Sequence, residues 1–210
     1  VITFGFDTAV TVATEALDRL HTTTEAHERV MVVELMGRYA GWIALNSGIS
    51  SGSDVILIPE IPFHIDKVCD KIMERERAGR HYSVVVVAEG AKPAGGGLAV
   101  LGERELGREV RLGGIAEQVA KAIAEKTGKE TRTMVLGHLQ RGGTPTTFDR
   151  LIALRFGAAA VRTVAEGITG VMVALDPPEV KTIPLSAAIG RMKSVPPDCD
   201  SIITARELGI

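Results

Sequence analysis

The stretch RVMVVELMGR, residues 29–38, decides the fold prediction. Residues 30–35 are apolar except for Glu34. A continuous apolar run of this length predicts a strand buried on both faces, as in a parallel sheet. Met36, Gly37 and Arg38 follow directly, so a glycine and a cation stand where this strand ends. Ligands of open α/β sheets bind beyond the carboxyl ends of the strands, which makes this end a candidate site.

Strand-like and helix-like patterns alternate along the rest of the chain. Apolar runs predict four more strands, at residues 55–58, 84–88, 131–136 and 170–175. Helical spacing of apolar residues predicts helices at 8–20, 41–49, 65–78, around 115–123, at 147–166 with Thr147 as N-cap, around 185–192 and around 202–208. We therefore predict an α/β fold with a doubly wound, mostly parallel sheet and helices on both faces.

Composition excludes several classes of protein. The formal net charge of −2 leaves no global basic field for nucleic acid, and no apolar run approaches the ~20 residues of a membrane span. Cys69 and Cys199 match neither a metal site nor a disulfide framework, which favours the reducing cytoplasm. The first ten residues have no methionine and no basic n-region. We expect the chain to begin partway through a larger protein.

The predicted sheet gathers cations, carboxylates and glycines at one edge. Arg38 and Glu89 follow two of the strands, and a third strand leads into GHLQRGG, residues 137–143. In that stretch His138 and Arg141 can donate hydrogen bonds to an oxyanion, and the glycines let backbone amides approach it. This pattern predicts a site for a phosphorylated, hydroxyl-rich small molecule. We interpret Glu60, after the strand at 55–58, as a structural carboxylate.

Two arginines break this pattern. Arg29 and Arg132 lie near the starts of their strands, and a six-residue strand separates its ends by roughly 20 Å. Two alternatives are open: ordinary solvated arginines, or arginines that serve the equivalent site of a neighbouring subunit.

Together these motifs resemble the 6-phosphofructokinase family across essentially the whole chain. They occur in consistent order: GFDTA (5–9), Arg29, VELMGR (33–38), IPE (58–60), AEG (88–90), ETR (130–132) and GHLQRGG (137–143). The continuation YAGWIA (39–44) is similar to a subgroup that contains both ATP-dependent and pyrophosphate-dependent members. The resemblance therefore implies a phosphofructokinase-like fold and a phosphotransferase that forms fructose 1,6-bisphosphate from fructose 6-phosphate in glycolysis.

The resemblance also implies roles for individual residues. Met36, Gly37, Arg38 and Glu89 match residues that bind fructose 6-phosphate around the sugar, and Arg38 also matches an arginine near the transferring phosphoryl group. His138 and Arg141 match ligands of the 6-phosphate. Arg29 and Arg132 match arginines that reach this phosphate from an adjacent subunit, which implies a homo-oligomer, dimer or tetramer, in the cytoplasm.

The family's donor-binding motifs do not occur in these 210 residues. They are glycine-rich Gly-Gly-Asp loops and a Thr-Ile-Asp-Asn-Asp-like segment with the catalytic base. We expect them upstream, together with the ligands of Mg²⁺, and the donor is either ATP or pyrophosphate.

The chain then corresponds to the C-terminal part of the enzyme and is expected to be inactive alone. Residues 1–140 and 191–210 are predicted to bind fructose 6-phosphate, and 141–190 to belong to the donor domain. A non-catalytic sugar-phosphate-binding module and a related kinase with another acceptor are the alternatives.

Overall fold

The computed structural model describes residues 3–99, 113–190 and 192–210. The strands are β1 (Val30–Leu35), β2 (Val55–Leu57), β3 (Ser83–Ala88), β4 (Thr131–Val135), β5 (Val171–Asp176) and β6 (Glu179–Pro184). The α-helices are α1 (Phe6–Ala26), α2 (Trp42–Ser50), α3 (Ile65–Arg77), α4 (Ile115–Thr127), α5 (Thr147–Ala165), α6 (Leu185–Ile189) and α7 (Asp200–Glu207). A short 3₁₀ helix, Gly137–Arg141, follows β4.

Strands β1 to β4 form a parallel sheet in the order β2-β3-β1-β4. The crossover from β1 to β2 therefore passes over β3, which is inserted between them. Helices cover both faces, so the predicted α/β fold with a parallel sheet is confirmed. The carboxyl ends of β3, β1 and β4 lie side by side at one edge.

The central strands are buried because their sequences are apolar on both faces. Every residue of β1 and β3 is buried. Val30, Val32, Val85 and Val87 pack in one core with α3 and α4. The alternating residues Met31, Val33, Val84 and Val86 pack in a second core with α1, α2 and α7. A fully buried aliphatic side chain of this kind contributes roughly 1.5–3 kcal/mol.

Two local predictions need correction. The strand predicted at 170–175 exists as β5, but it pairs antiparallel with β6, which the sequence pattern did not reveal. Only Pro177 and Pro178 separate these strands, and so short a connection requires antiparallel pairing. The N-cap of α5 is Thr146, not Thr147, because the Thr146 hydroxyl accepts the Asp149 N–H.

The chain divides into two compact units. The larger contains Val10–Gly142 and Ser194–Ile210, and therefore the parallel sheet. The smaller contains Gly143–Lys193 and the described residues up to Ala9. This division differs from the predicted domain boundaries chiefly in the first nine residues, and the assignment of the units to acceptor and donor binding stays a prediction.

Candidate functional site

The loop after β1 lies directly on the turn after β3. Glu89 N–H donates to the Leu35 carbonyl at 2.9 Å, and Gly90 N–H donates to the Gly37 carbonyl at 3.1 Å. A Cβ at Gly90 would lie 2.0 Å from the Arg38 carbonyl oxygen, so only glycine fits there. This close approach places Glu89 next to the Met36-Gly37-Arg38 backbone.

Arg38 is half-buried and packs on its neighbour. Its guanidinium lies 5.1 Å from the centroid of the Tyr39 ring, within the range of a cation–π interaction. Tyr39 itself is half exposed. A guanidinium can donate several hydrogen bonds in a fixed geometry that suits a phosphoryl group.

The 3₁₀ helix after β4 presents His138 and Arg141 to solvent. Both residues are exposed, whereas Gln140 between them is buried. The Gln140 side chain accepts the Met36 N–H at 3.2 Å and donates to the Gly137 carbonyl at 3.3 Å. Gln140 therefore ties this turn to the end of β1. Gln140 lies within the GHLQRGG stretch. The sequence pattern does not indicate its contact with Met36, which is 104 positions away.

All six residues predicted to bind the acceptor follow the carboxyl ends of three adjacent strands. Met36, Gly37 and Arg38 follow β1, Glu89 follows β3, and His138 and Arg141 follow β4. Backbone hydrogen bonds and the Gln140 side chain connect the three turns. The edge thus combines cations for a phosphate with a carboxylate that can accept bonds from hydroxyl groups.

The buried Glu34, which the sequence analysis did not assign to the site, connects the end of β1 to the start of α4. The Glu34 carboxylate accepts the Ala116 N–H at 3.1 Å, at the start of α4. Burial raises the pKa of Glu34, and the charges of Glu117 and Glu89 add to this effect. A carboxylate at a helix N-terminus complements the partial positive charge of the exposed amides. Glu34 is the one charged residue in the apolar strand β1, and this could have indicated its role from the sequence.

Arg29 and Arg132 lie at the opposite edge of the sheet and share one counter-ion. Arg132 pairs with Met31 near the amino ends of β4 and β1. One carboxylate oxygen of Glu130 lies 2.9 Å from the Arg132 guanidinium and 3.6 Å from that of Arg29. The structure therefore brings these two arginines together and separates them from the other predicted ligands.

No metal cluster accompanies these residues in the part of the chain that the structure describes. Groups of three or more His, Cys, Asp or Glu side chains that could hold a metal ion are absent there. Among the same residues, no helix has both the length and the apolar character to cross a membrane.

Comparisons with known proteins agree with this architecture. The phosphofructokinase family model matches residues 1–164. An ATP-dependent 6-phosphofructokinase of Chloroflexus aurantiacus is 53% identical over 208 residues, 99% of this chain and 57% of that protein. A pyrophosphate–fructose 6-phosphate 1-phosphotransferase of Amycolatopsis mediterranei is 54% identical over 195 residues, 92% of this chain and 57% of that protein. The chain thus spans little more than half the length of these relatives.

Solved structures give the same result. The phosphofructokinase of Saccharomyces cerevisiae superposes with a TM-score of 0.73 at 30% identity, covering 86% of this chain and 23% of that one. A pyrophosphate-dependent phosphofructokinase of Nitrosospira multiformis superposes with a TM-score of 0.76 at 25% identity, covering 96% of this chain and 53% of that one. By its sequence, its parallel sheet and the order of its motifs, this chain belongs to the phosphofructokinase family.

Proposed function

We propose that this chain carries the acceptor site of a phosphofructokinase. The full protein would phosphorylate fructose 6-phosphate to fructose 1,6-bisphosphate, with ATP or pyrophosphate as the donor. One observation carries the proposal: Arg38, Glu89, His138 and Arg141 follow three adjacent strands at one edge of the sheet. Relatives of both donor classes are about equally similar to the chain, so the donor stays open between the two.

The proposed chemistry is phosphoryl transfer to a sugar hydroxyl. The oxygen at position 1 of the sugar forms a bond to the terminal phosphorus of the donor, while the bond from that phosphorus to the donor's bridging oxygen breaks. The leaving group takes the electron pair, and the hydroxyl proton passes to a base outside the residues assigned here. Such a transfer depends on positioning and charge neutralisation.

This chain's own residues would bind and orient the acceptor. His138 and Arg141 would hold the 6-phosphate, and Glu89, Met36 and Gly37 would contact the sugar. Arg38 would lie near the phosphoryl group in transfer, where a guanidinium can neutralise developing charge. Mg²⁺ belongs to the proposal as a partner of the donor. The described residues offer no cluster for it, so no step is assigned to the ion.

Arg29 and Arg132 extend the proposal to a homo-oligomer. Their edge of the sheet is the one remote from His138 and Arg141, and both guanidiniums lie on the exposed Glu130 carboxylate. We propose that they reach the 6-phosphate bound by an adjacent subunit. The cytoplasm is the proposed location of the assembly.

Substitution of the phosphate ligand tests the acceptor assignment. A charge-assisted hydrogen bond contributes about 1.5–3 kcal/mol, so Arg141→Ala should weaken fructose 6-phosphate binding about ten- to hundredfold. Arg77→Ala removes an exposed arginine at the end of α3 and serves as the control. Binding is measured by calorimetry on the full-length protein that contains this chain. Equal affinity of Arg141→Ala and the control would contradict the assignment.

A second substitution separates catalysis from binding. Arg38→Ala should lower kcat more than it raises KM for fructose 6-phosphate, because its charge is expected to act on the transferring group. If the full-length protein binds fructose 6-phosphate without turnover, the alternative of a non-catalytic binding module is favoured. That alternative stands because every ligand assigned in this chain contacts the acceptor.

A further inference from the structure

We propose that Glu60 is a positioning residue, which fixes the loop that carries Arg38 and thereby sets the rate of phosphoryl transfer. This inference rests on the proposed function and goes beyond it, since Glu60 contacts neither substrate in that proposal.

The Glu60 carboxylate is satisfied by backbone amides from two distant segments. Both of its oxygens accept the Gly41 N–H, each at 3.1 Å. One of them also accepts the Val195 N–H at 2.8 Å. Hydrogen bonds to a charged acceptor are stronger than those between neutral groups, and this carboxylate is partly buried. Glu60 therefore joins the turn after β2 to the residue that precedes α2.

The loop between β1 and α2 crosses the end of β3 and is held closely at two points. At the first, the Arg38 carbonyl lies on Gly90, where a Cβ would come within 2.0 Å. At the second, Gly41 lies on Ile58, where a Cβ would come within 2.4 Å of the side chain. Contacts this tight leave the backbone little room, and the carboxylate of Glu60 fixes the far end. Arg38 is held at the first of these points, three residues before Gly41, which is held at the second.

The charge of Glu60 also suits its location. Gly41 is the N-cap of α2, and no side chain of its own can accept the amides there. A carboxylate at this position complements the partial positive charge of the helix N-terminus. Replacement by glutamine keeps the shape but leaves one acceptor oxygen and brings an amide N–H₂ group near the Gly41 N–H. The Gly41 amide would then lose its charged acceptor, although the glutamine side chain would leave no cavity.

Kinetics of Glu60→Gln in the full-length protein test the functional part. A displacement of about 1 Å in a catalytic group can cost up to a hundredfold in rate, so we expect kcat to fall about tenfold or more. KM for fructose 6-phosphate should rise by a smaller factor than kcat falls, because His138 and Arg141, which would hold the 6-phosphate, lie on a separate turn. Asp54→Asn is the control for loss of a buried carboxylate charge, since Asp54 accepts the Val84 N–H and pairs with Arg75 near the start of β2, at the other edge of the sheet.

A double-mutant cycle distinguishes positioning from general destabilisation. If Glu60 acts through Arg38, Glu60→Gln should have almost no further effect on kcat in an Arg38→Ala background. An effect of equal size in both backgrounds would overturn the proposal. So would a loss of kcat in Asp54→Asn as large as that in Glu60→Gln.

Hydrogen exchange supplies a readout that does not depend on activity. The amides of residues 37–42 should exchange about tenfold faster in Glu60→Gln than in the parent, because the Gly41 amide loses its charged acceptor. Unchanged exchange would overturn the proposal even if turnover fell. A parent protein that fails to phosphorylate fructose 6-phosphate would instead overturn the proposed function and, with it, the role of Glu60 in catalysis, while the exchange measurement would still decide the anchoring.

Discussion

Carboxylates hold the backbone of this site at the residue scale. Glu34 accepts an amide at the start of α4, and Glu60 accepts the amide of the residue that caps α2. Both helices begin at the edge of the sheet where the predicted cationic ligands lie. The negative charges complement the helix N-termini, and the predicted ligands Arg38, His138 and Arg141 lie at the same edge.

The raised pKa of Glu34 gives a prediction about stability and pH. Burial raises this pKa above the ordinary value of 4.5, so the folded protein binds this proton more tightly than the unfolded chain. The favourable contribution is present below about pH 4.5 and is lost as the pH rises through the raised pKa. Glu34→Gln removes this titration. We expect the free energy of unfolding of the parent to fall more steeply with rising pH, above 4.5, than that of the variant.

Urea unfolding at a series of pH values measures this difference. Glu15→Gln, an exposed substitution on α1, should follow the parent curve closely. Parallel curves for the parent and Glu34→Gln would show that Glu34 has the same pKa in both states.

Gly90 gives a second prediction at this scale. In Gly90→Ala the new Cβ would lie 2.0 Å from the Arg38 carbonyl, so the loop after β1 must shift. Overpacking of this kind costs about 1–3 kcal/mol, and we expect both a lower free energy of unfolding and a lower kcat. Gly97→Ala is the control, because no atom of the described residues, apart from its chain neighbours, lies within 4 Å of the position of a Cβ there. Thermal unfolding and turnover are compared, and equal behaviour of the two variants would contradict the tight contact.

At the scale of elements, the cap of α5 can be tested directly. The Thr146 hydroxyl accepts the Asp149 N–H at 3.3 Å and donates to the Asp7 carboxylate at 2.6 Å. Loss of such a cap costs about 1 kcal/mol, so Thr146→Ala should destabilise the smaller unit while Thr146→Ser should not. The exposed neighbour Thr147 supplies the control substitution to alanine. Urea unfolding decides, and an equal loss in both alanine variants would contradict the assignment of the cap.

The elements that could be predicted from the sequence are those with strong apolar periodicity. β1 and β3 are continuous apolar runs, and α3 and α4 present apolar residues at helical spacing, so local pattern was sufficient. β6 is different: half of the residues in its sequence EVKTIP are polar and most are exposed, and pairing with β5 across a two-residue connection stabilises it. Local pattern carries little information about a strand of this kind.

The candidate site shows the same limit. The ligands predicted at the strand ends follow from the position of each motif relative to its strand, which the sequence contains. The supporting contacts join residues far apart, such as Met36 with Gln140 and Glu34 with Ala116. The insertion of β3 between β1 and β2 determines which turns meet, and periodicity says nothing about strand order.

At the scale of the whole molecule, α5 has an apolar face that the described residues leave exposed. Leu154, Val161 and Val164 are each at least 70% exposed. A contiguous face of this kind favours a covering partner, in keeping with the prediction that residues 141–190 belong to a donor domain. We expect the 210-residue chain alone to transfer no phosphoryl group to fructose 6-phosphate. A coupled assay with either donor checks this, and turnover by the chain alone would contradict the expected location of the base.

If sites are shared between subunits, two impaired variants should restore activity when they form a mixed oligomer. Arg132→Ala and Arg141→Ala should each impair every site when expressed alone. In a hybrid of the two variants, one site combines the intact Arg141 of one subunit with the intact Arg132 of the other. Random association at equal amounts should therefore restore about a quarter of the parent activity, since half of the dimers are hybrids with one intact site in two.

A mixture of Arg141→Ala and His138→Ala is the control, because both residues serve the site of their own subunit and no hybrid site is intact. Activity is measured after co-refolding at a limiting concentration of fructose 6-phosphate, where loss of a phosphate ligand is most visible. If the first mixture is no more active than its separate components, Arg132 acts within its own subunit or is an ordinary solvated arginine.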